Sequence, residues 1–339
     1  MSEAYRAAVA CIAGWTGDRL REHLPHHPHI FVCNSAAGTR HRHRTVRAVA
    51  RRICGTGTTG DAAQPELWWT HSGEEARQRV ADRLARRDSP EPVIVSLGGD
   101  GTHNHVLQAG IDHSGHGLFL RLPLGSGNDA AGVESLERAL TDLQGIMAPR
   151  WIPAVRITTS RWRQHAFNIA SMGIDAYVTL LHNRWRGALP GNTYRLLVDL
   201  AVLRYDQALQ VGPLTLRGAT WDGAIRALGE TPRSLVVMGV SGNRTYGDHM
   251  HVLPGTENVC IIEHASLWDK LRMKRLFYEG THVTQTITTT HTLQRLEAWY
   301  DRSLPLQYDG EACYLAAEDF PVTLEVIHSA VRVLAADRV

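Results

Sequence analysis

Three short apolar runs in the first 125 residues each end in a turn of glycine or other small residues, and this pattern constrains the fold most. With a fourth apolar stretch, the predicted strands are residues 30–33, 67–70, 92–97 and 118–122. Segments with apolar residues at helical spacing lie between them, at 44–53, 73–87 and 102–110. Alternating strands and helices predict a parallel, doubly wound α/β domain, which binds ligands beyond the carboxyl ends of its strands.

The residue pattern changes after about residue 150, where short segments typical of β-strands and threonines become frequent. The predicted strands there are residues 155–159, 166–170, 214–216, 234–240, 259–262, 283–289, 294–299 and 322–327. Two helices are predicted near 174–185 and 192–208. A chain of 339 residues usually folds as more than one domain. We therefore predict a second, mostly β domain with a β-sandwich architecture.

Composition narrows the classes of function. The net charge of +2 gives no basic field for nucleic acid, and no stretch reaches the roughly 18 apolar residues of a membrane span. The five cysteines are odd in number and lack CxxC spacing, so we expect neither a disulfide framework nor a zinc site. A reducing, cytoplasmic compartment is consistent with this cysteine usage.

The first glycine turn carries the most chemistry. It consists of Gly98, Gly99, Asp100, Gly101 and Thr102, directly after a predicted buried strand. Glycines let backbone N–H groups surround an anion, and a helix that begins at Thr102 adds its positive end. A carboxylate beside phosphates makes chemical sense if it holds Mg²⁺ or accepts a proton from an attacking hydroxyl. The alternative is a tight turn in which Asp100 caps the helix.

Two further turns could join this site. The next strand is followed by a second phosphate-sized turn that contains Gly125, Ser126, Gly127 and Asn128. Far downstream, Asp309 and Glu311 flank Gly310 after an apolar stretch, and paired carboxylates can share a proton-transfer role. The alternatives are a helix N-terminus for the second turn and an ordinary Asp-Gly hairpin for the third.

Together and in this order, the motifs resemble the diacylglycerol kinase catalytic family, which includes sphingosine and ceramide kinases. The resemblance spans about residues 30–333. The segments that carry it are 34–38, the surroundings of Thr70, 98–102, 125–129, 167–168, 173–176, 246–250 and 309–311. Several positions depart from the family pattern, among them Gly73, His105, residues 130–132 and residues 254–258. The last of these puts a structural metal site of some bacterial members in doubt.

The resemblance implies a nucleotide-binding domain, residues 1–149 with 328–339, and a lipid-substrate domain, residues 150–327. It implies that the last strand returns to the first domain and that ATP and lipid meet in the cleft between the domains. Asp309 would be the general base, Glu311 its support, and Asp100 the carboxylate that organises Mg²⁺. Asp100 competes with Asp309 for the role of base, by analogy with sphingosine kinases. The implied ATP-binding residues are Asn34, Thr70, Gly98, Gly99, Gly101, Thr102, Gly125, Ser126, Gly127 and Asn128, and the implied lipid contacts are Asp175 and His249.

The expected activity is therefore phosphoryl transfer from ATP, with Mg²⁺, to the hydroxyl of a diacylglycerol-like or sphingoid lipid. The expected location is the cytoplasm with peripheral membrane association, and nucleic acid is not an expected partner. The oligomeric state is open, with a homodimer as one alternative. Two other functions compete: an NAD-kinase-like enzyme, because that class also uses GGDGT, and a degenerate kinase that binds without catalysis.

Overall fold

A computed structural model describes residues 3–35, 40–54, 66–87, 89–124, 135–145, 147–185, 194–209, 211–247 and 249–336. The chain divides into two compact units. The first comprises Met1–Ile152 and His328–Val339, and the second comprises Pro153–Ile327.

The first unit is built on a parallel sheet. Its elements are α1 (Glu3–His23), β1 (His29–Asn34), α2 (Arg40–Cys54), β2 (Glu66–Thr70), α3 (Gly73–Leu84), β3 (Val93–Gly98), α4 (Asp100–Asp112), β4 (Leu118–Pro123) and α5 (Leu136–Asp142). The strand order is β2-β1-β3-β4, with every pair parallel. The last strand of the chain, β17 (Val322–Ala336), joins this sheet beside β4 through Val333 and Phe119, also in parallel. The predicted doubly wound α/β fold and the returning last strand are both confirmed.

Side chains alternate between the two faces of this sheet along each strand, and helices cover both faces. On one face, Phe31, Val95 and Leu120 belong to a core that also contains side chains of α1, α2 and α5. The other face carries Phe119, whose ring lies against α4. A Cβ added at Gly110 of α4 would come within 2.6 Å of that ring. Strands β3 and β4 are buried along their whole length, whereas β2, at the end of the strand order, is partly exposed. Burial on both faces is why the inner strands appear in the sequence as predominantly apolar runs.

The second unit consists mostly of antiparallel strands. Its elements begin with β5 (Met147–Thr158), which enters from the first unit, β6 (Arg163–Ala166), β7 (Ile169–Gly173), α6 (Ile174–Trp185), α7 (Tyr194–Ala208), β8 (Pro213–Ala219) and β9 (Ile225–Gly239). They continue with β10 (Arg244–Tyr246), β11 (Met250–Leu253), β12 (Val259–Glu263), α8 (Leu267–Glu279), β13 (Thr288–His291), β14 (Arg295–Trp299), β15 (Leu304–Tyr308) and β16 (Glu311–Leu315).

Strand β9 connects the two layers of this unit. Its first half pairs with β8, whereas its second half pairs with β7 and β12. Side chains from both layers, such as Val236, Leu296 and Leu306, form one buried cluster. The predicted mostly β second domain is therefore confirmed.

Several local predictions were wrong. The predicted strand 166–170 is two strands, β6 and β7, with a break at Phe167 and Asn168. The predicted strand 283–289 is a short 3-10 turn followed by β13. Cys11 in α1 is disulfide-bonded, against the expectation from cysteine spacing.

Candidate active site

The carboxyl ends of β1, β2 and β3 bring several predicted nucleotide-binding residues together. The Asn34 amide donates to Thr102 Oγ1 at 3.2 Å. The backbone N–H of Ser35, which follows Asn34, donates to the Thr70 carbonyl at 2.7 Å. Asn34, Thr70 and Thr102 therefore lie at one edge of the sheet, although the Thr70 hydroxyl itself points back to the Cys33 carbonyl.

Helix α4 begins earlier than the sequence predicts. It starts at Asp100 rather than Thr102, with Gly99 as its N-cap and no side chain capping it. The first N–H groups of a helix lack partners within the helix and attract anions. Gly98 is tightly placed, because a Cβ there would lie 3.0 Å from the Thr102 Cβ. The turn therefore presents a helix N-terminus at the strand ends, as a phosphate site requires.

The second glycine turn, Gly125 to Asn128, lies outside the described residues. The described chain stops just before it, at Leu124, whose N–H donates to the Gly98 carbonyl at 2.9 Å. This bond connects the end of β4 to the first glycine turn. The predicted nucleotide contacts of the second turn stay a prediction.

Asp100 has a partner that the sequence analysis missed. Its carboxylate forms an ion pair with the guanidinium of Arg121, in the middle of the buried strand β4. An arginine is almost never fully buried without a partner. The available signal was therefore the single charged residue in the run Leu118–Pro123.

A buried polar network lies under the Asp100 turn. Ser96 of β3 is the register partner of Arg121 on β4. The Ser96 hydroxyl is 2.7 Å from Nδ1 of His103, one turn after Asp100 in α4. Burial, aided by the charge of Arg121, lowers the pKa of His103 to about 3, so this imidazole is neutral at physiological pH. The network adds no second positive charge beside Arg121.

Gly73 and His105, two positions that depart from the family pattern, lie next to each other in the structure. Gly73 is the first residue of α3, and a Cβ there would lie 2.2 Å from Cδ2 of His105 on α4. His105 Nδ1 is 3.6 Å from a carboxylate oxygen of Glu74. The imidazole thus fills the space that a larger residue at position 73 would need. This pair is a packing feature between α3 and α4.

In the second unit, Asp309 and Gly310 form the two-residue turn between β15 and β16. Their φ angles are 49° and 94°, as a type I′ hairpin turn requires. The Asp309 carboxylate accepts backbone N–H bonds from Phe167, Asn168 and Ile169. These bonds occupy both carboxylate oxygens and account for the break between β6 and β7.

The other groups around this hairpin differ in exposure. Glu311, the first residue of β16, is exposed. Arg244 lies close enough to Asp309 for their charges to interact; burial lowers the pKa of Arg244, and Asp309 opposes that shift. The hairpin thus combines one carboxylate fixed by the backbone with one that faces solvent.

Gln307 connects the hairpin to Asp175. Its side-chain oxygen accepts from the Gly310 N–H at 3.2 Å, and its amide nitrogen donates to Asp175 Oδ2 at 3.1 Å. Gln307 is completely buried, and the Ser171 hydroxyl also donates to Asp175, at 2.7 Å. Burial raises the pKa of Asp175, although both hydrogen bonds oppose that shift. Gln307 was not predicted from the sequence, because it precedes the carboxylate motif in an otherwise apolar strand and carries no local signal of this role.

Asp175 lies in the wall of an apolar cavity. The cavity, about 710 Å³ including open solvent at its mouth, lies among α6, α7, α8 and strands of the second unit. Its lining is predominantly aliphatic and aromatic and includes Val178, Val202, Met273 and Phe277. An apolar lining with a few polar groups is typical of small-molecule sites.

Two cations also line this cavity. They are Lys270 and Lys274, the two lysines of the whole sequence. Lys270 pairs with Asp206 and Lys274 with Asp199, so both ion pairs connect α8 to α7. His249, the other predicted lipid contact, is exposed in the turn before β11, with a φ of 63°.

The comparisons with known proteins agree with the motifs. Residues 28–155 match the sequence model of the diacylglycerol kinase catalytic domain. The resemblance to the diacylglycerol kinase catalytic family is confirmed. The matched segment contains the strand ends and the Asp100 turn described above. No curated protein sequence matches the chain.

Solved structures show the same fold at low sequence identity. One is a diacylglycerol kinase from Bacillus anthracis str. Sterne, with 11% identity and a TM-score of 0.54, covering 91% of this chain and 96% of that one. Another, a presumed diacylglycerol kinase from the same strain, has 15% identity and a TM-score of 0.56, with coverages of 90% and 96%. At these identities the likeness concerns the fold alone.

No described helix is both long and apolar enough to span a membrane. Within the same residues, no three His, Cys, Asp or Glu side chains are grouped as a metal site. Among the described residues, Asp100 is therefore not part of a group of three such side chains.

Proposed function

We propose that this chain is an ATP-dependent lipid kinase that phosphorylates the hydroxyl of a diacylglycerol-like or sphingoid lipid. The observation that supports this most is the Gln307 bridge. It connects a hairpin with two acidic residues to Asp175 in the wall of an apolar cavity. A lipid hydroxyl needs both features close together: an apolar site for the chain and a carboxylate that accepts the proton.

The nucleotide is assigned to the first unit. Asn34, Thr102 and the N-terminus of α4 lie at one edge of a parallel sheet, where doubly wound folds bind phosphates. The predicted contacts from Thr70 and from residues 125–128 belong to the same proposal. ATP is the proposed phosphoryl donor because the family match covers this segment.

Mg²⁺ is the proposed cofactor, and the residues present fit it in part. Asp100 offers a carboxylate oxygen, the kind of ligand that Mg²⁺ prefers, and Mg²⁺ usually takes its other ligands from water and phosphates. When bound, the ion would neutralise charge on the phosphates. The chain itself contributes the Asp100 carboxylate, held beside Arg121.

For the proton acceptor, the geometry favours Glu311 over Asp309. Both Asp309 oxygens already accept backbone N–H bonds, which makes this side chain an anchor for Phe167 to Ile169. Glu311 lies two residues away on the same hairpin and is exposed. We therefore propose that Glu311 accepts the hydroxyl proton and that Asp309 positions the hairpin, reversing the roles that the resemblance implied.

The lipid is assigned to the apolar cavity of the second unit. Asp175 would contact polar atoms of the lipid headgroup, since it is the carboxyl group in the cavity wall. His249 is proposed as a further headgroup contact. The acyl or sphingoid chain would occupy the apolar part of the cavity beside Val202 and Met273.

Peripheral binding to the cytoplasmic membrane surface is part of the proposal. Trp185, the last residue of α6, is 45% exposed next to Arg184. A tryptophan beside a basic residue suits the headgroup layer of a bilayer. Arg186, which follows Trp185 in the sequence, lies outside the described residues.

An ATP-consumption assay with two acceptors tests this proposal. Purified protein with Mg²⁺ and ATP is given mixed micelles of diacylglycerol or ceramide in one arm and NAD in the other. ATP consumption that depends on lipid supports the lipid kinase. Consumption with NAD alone would favour the NAD-kinase-like alternative, and ATP binding without consumption on any acceptor would favour a non-catalytic binding protein.

A further inference from the structure

Arg121 occupies an unusual place for an arginine. It lies in the interior of β4, between β3 and β17 in the parallel sheet, and it is only 8% exposed. All six residues of β4 are buried. Neighbouring residues on this strand are apolar, as a strand covered on both faces requires. A charge in such a strand is costly unless a partner of opposite charge compensates it.

The partner is the acidic residue of the first glycine turn. Arg121 pairs with Asp100, which lies in the first turn of α4. The Asp100 side chain is 19% exposed, so its outer side is accessible while its inner side meets the guanidinium. A guanidinium cation thus lies on the buried side of the carboxylate that is proposed to bind Mg²⁺.

A cation beside a carboxylate has two consequences. It restrains the carboxylate, because an arginine offers donors in a rigid, planar arrangement. It also reduces the affinity of that carboxylate for another cation, because like charges repel. Both effects act on the metal side of the site rather than on the lipid.

We infer that Arg121 is a positioning residue for Asp100, which fixes the carboxylate and weakens its attraction for the divalent cation. This inference rests on the proposed function, in which Asp100 is the metal-side carboxylate. It goes beyond that function by assigning control of the metal requirement to a buried residue of β4. The competing explanation is a purely structural ion pair, which would affect folding alone.

The test compares Arg121→Met and Arg121→Lys with the wild-type chain. Calorimetric titration with Mn²⁺, in the presence of a non-hydrolysable ATP analogue, measures the metal affinity without turnover. Arg77→Met is the matched control, because Arg77 pairs with Asp112 at the other end of α4 at 2.8 Å. Thermal unfolding of each variant reports separately on structural damage.

We expect Arg121→Met to bind Mn²⁺ more tightly by about fivefold or more, the low end of typical coupling between two sites. Arg121→Lys retains the charge and should keep the wild-type affinity, and so should Arg77→Met. In an Asp100→Asn background, Arg121→Met should no longer change Mn²⁺ binding. If Arg121→Met folds poorly, Arg121→Gln, which also removes the charge but keeps a polar side chain, takes its place with the same expected gain in Mn²⁺ affinity.

Unchanged or weaker Mn²⁺ binding by folded Arg121→Met would overturn the inference and leave the proposed function intact. So would an equal gain in Mn²⁺ affinity in Arg77→Met or in the Asp100→Asn background, since that gain would not pass through Asp100. Failure of the wild-type chain to bind Mn²⁺ with the ATP analogue is a different result, and it would overturn the proposed function together with this inference.

Discussion

Three aspartates that each lie within two residues of a glycine in the sequence have different surroundings in the structure. Asp100 faces a buried arginine, Asp309 accepts three backbone N–H bonds, and Asp175 is buried with Ser171 and Gln307. The sequence indicates that acidic residues at glycine turns carry the chemistry. It does not reveal their partners, because those lie from 4 to about 140 residues away along the chain.

The hairpin carboxylates give the first prediction. Glu311→Gln should reduce turnover by about 10²- to 10⁴-fold, the usual contribution of general-base assistance, with an unchanged melting temperature. Asp309→Asn should reduce turnover and also lower the melting temperature, because an amide accepts fewer of the N–H bonds from Phe167 to Ile169. Steady-state kinetics with thermal unfolding separates the two. If Asp309→Asn melted like the wild type and lost as much turnover as Glu311→Gln, Asp309 would regain the role of base.

At the scale of elements, the strand-turn-helix alternation predicted the first unit well. Apolar runs and glycine turns are local signals, and the strands appear where those signals place them. Helix α8 was missed although its ends carry clear signals. Ser266 caps it by accepting from the Asp269 N–H, and Gly280 ends it with a φ of 70°. The break between β6 and β7 could not be predicted, since it depends on Asp309 from a distant hairpin.

The contact between α3 and α4 gives the second prediction. Gly73→Ala should lower the free energy of unfolding by about 1–3 kcal/mol, because the new methyl group overlaps the imidazole of His105. Combined with His105→Ala, the same change should cost much less. Gly14→Ala in α1 is the control, with nothing within 4 Å of its Cβ, and should be neutral or stabilising by up to about 1 kcal/mol. Urea denaturation is measured on the wild type, the single variants at positions 73 and 105, the double variant and the Gly14→Ala control. Additive effects at positions 73 and 105 would contradict the packing explanation.

The cavity between α7 and α8 gives the third prediction. Val202→Phe places a larger side chain in the lining, so the KM for the lipid should rise while the affinity for ATP stays the same. Leu203→Phe is the matched control, because Leu203 is the next residue of α7 and is exposed. Equal effects of the two substitutions on the lipid KM would show that the cavity is not the lipid site.

At the scale of the whole molecule, the sequence pattern predicted two domains of different fold class, and the family resemblance predicted the return of the last strand. The change from helix-strand alternation to frequent short strands is visible in the composition of each half. The returning strand came from the family resemblance rather than from any local pattern, and β17 shows it by pairing with β14 in the second unit and β4 in the first. Among the described residues, no local sequence pattern predicts the ion pair between Arg121 and Asp100, which forms only in the folded chain.

Membrane association gives the fourth prediction. The chain should sediment with anionic liposomes at low salt and should release them as salt rises, because exposed basic residues are screened. Trp185→Ala should weaken this binding, whereas Trp221→Ala, which removes an exposed tryptophan between β8 and β9, should not. Equal loss in both variants, or no sedimentation by the wild type, would contradict an interface at the end of α6.

The central claim is phosphoryl transfer to a lipid hydroxyl, and radiolabelled transfer measures it directly. The chain is incubated with ATP labelled at the γ-phosphate, Mg²⁺ and, in separate reactions, diacylglycerol, ceramide, sphingosine, phosphatidylglycerol or monoacylglycerol. We predict label in the extracted lipid for at least one acceptor, and its loss in Glu311→Gln by about 10²-fold or more. Label in none of the five lipids, from a wild-type protein that binds ATP, would contradict the account.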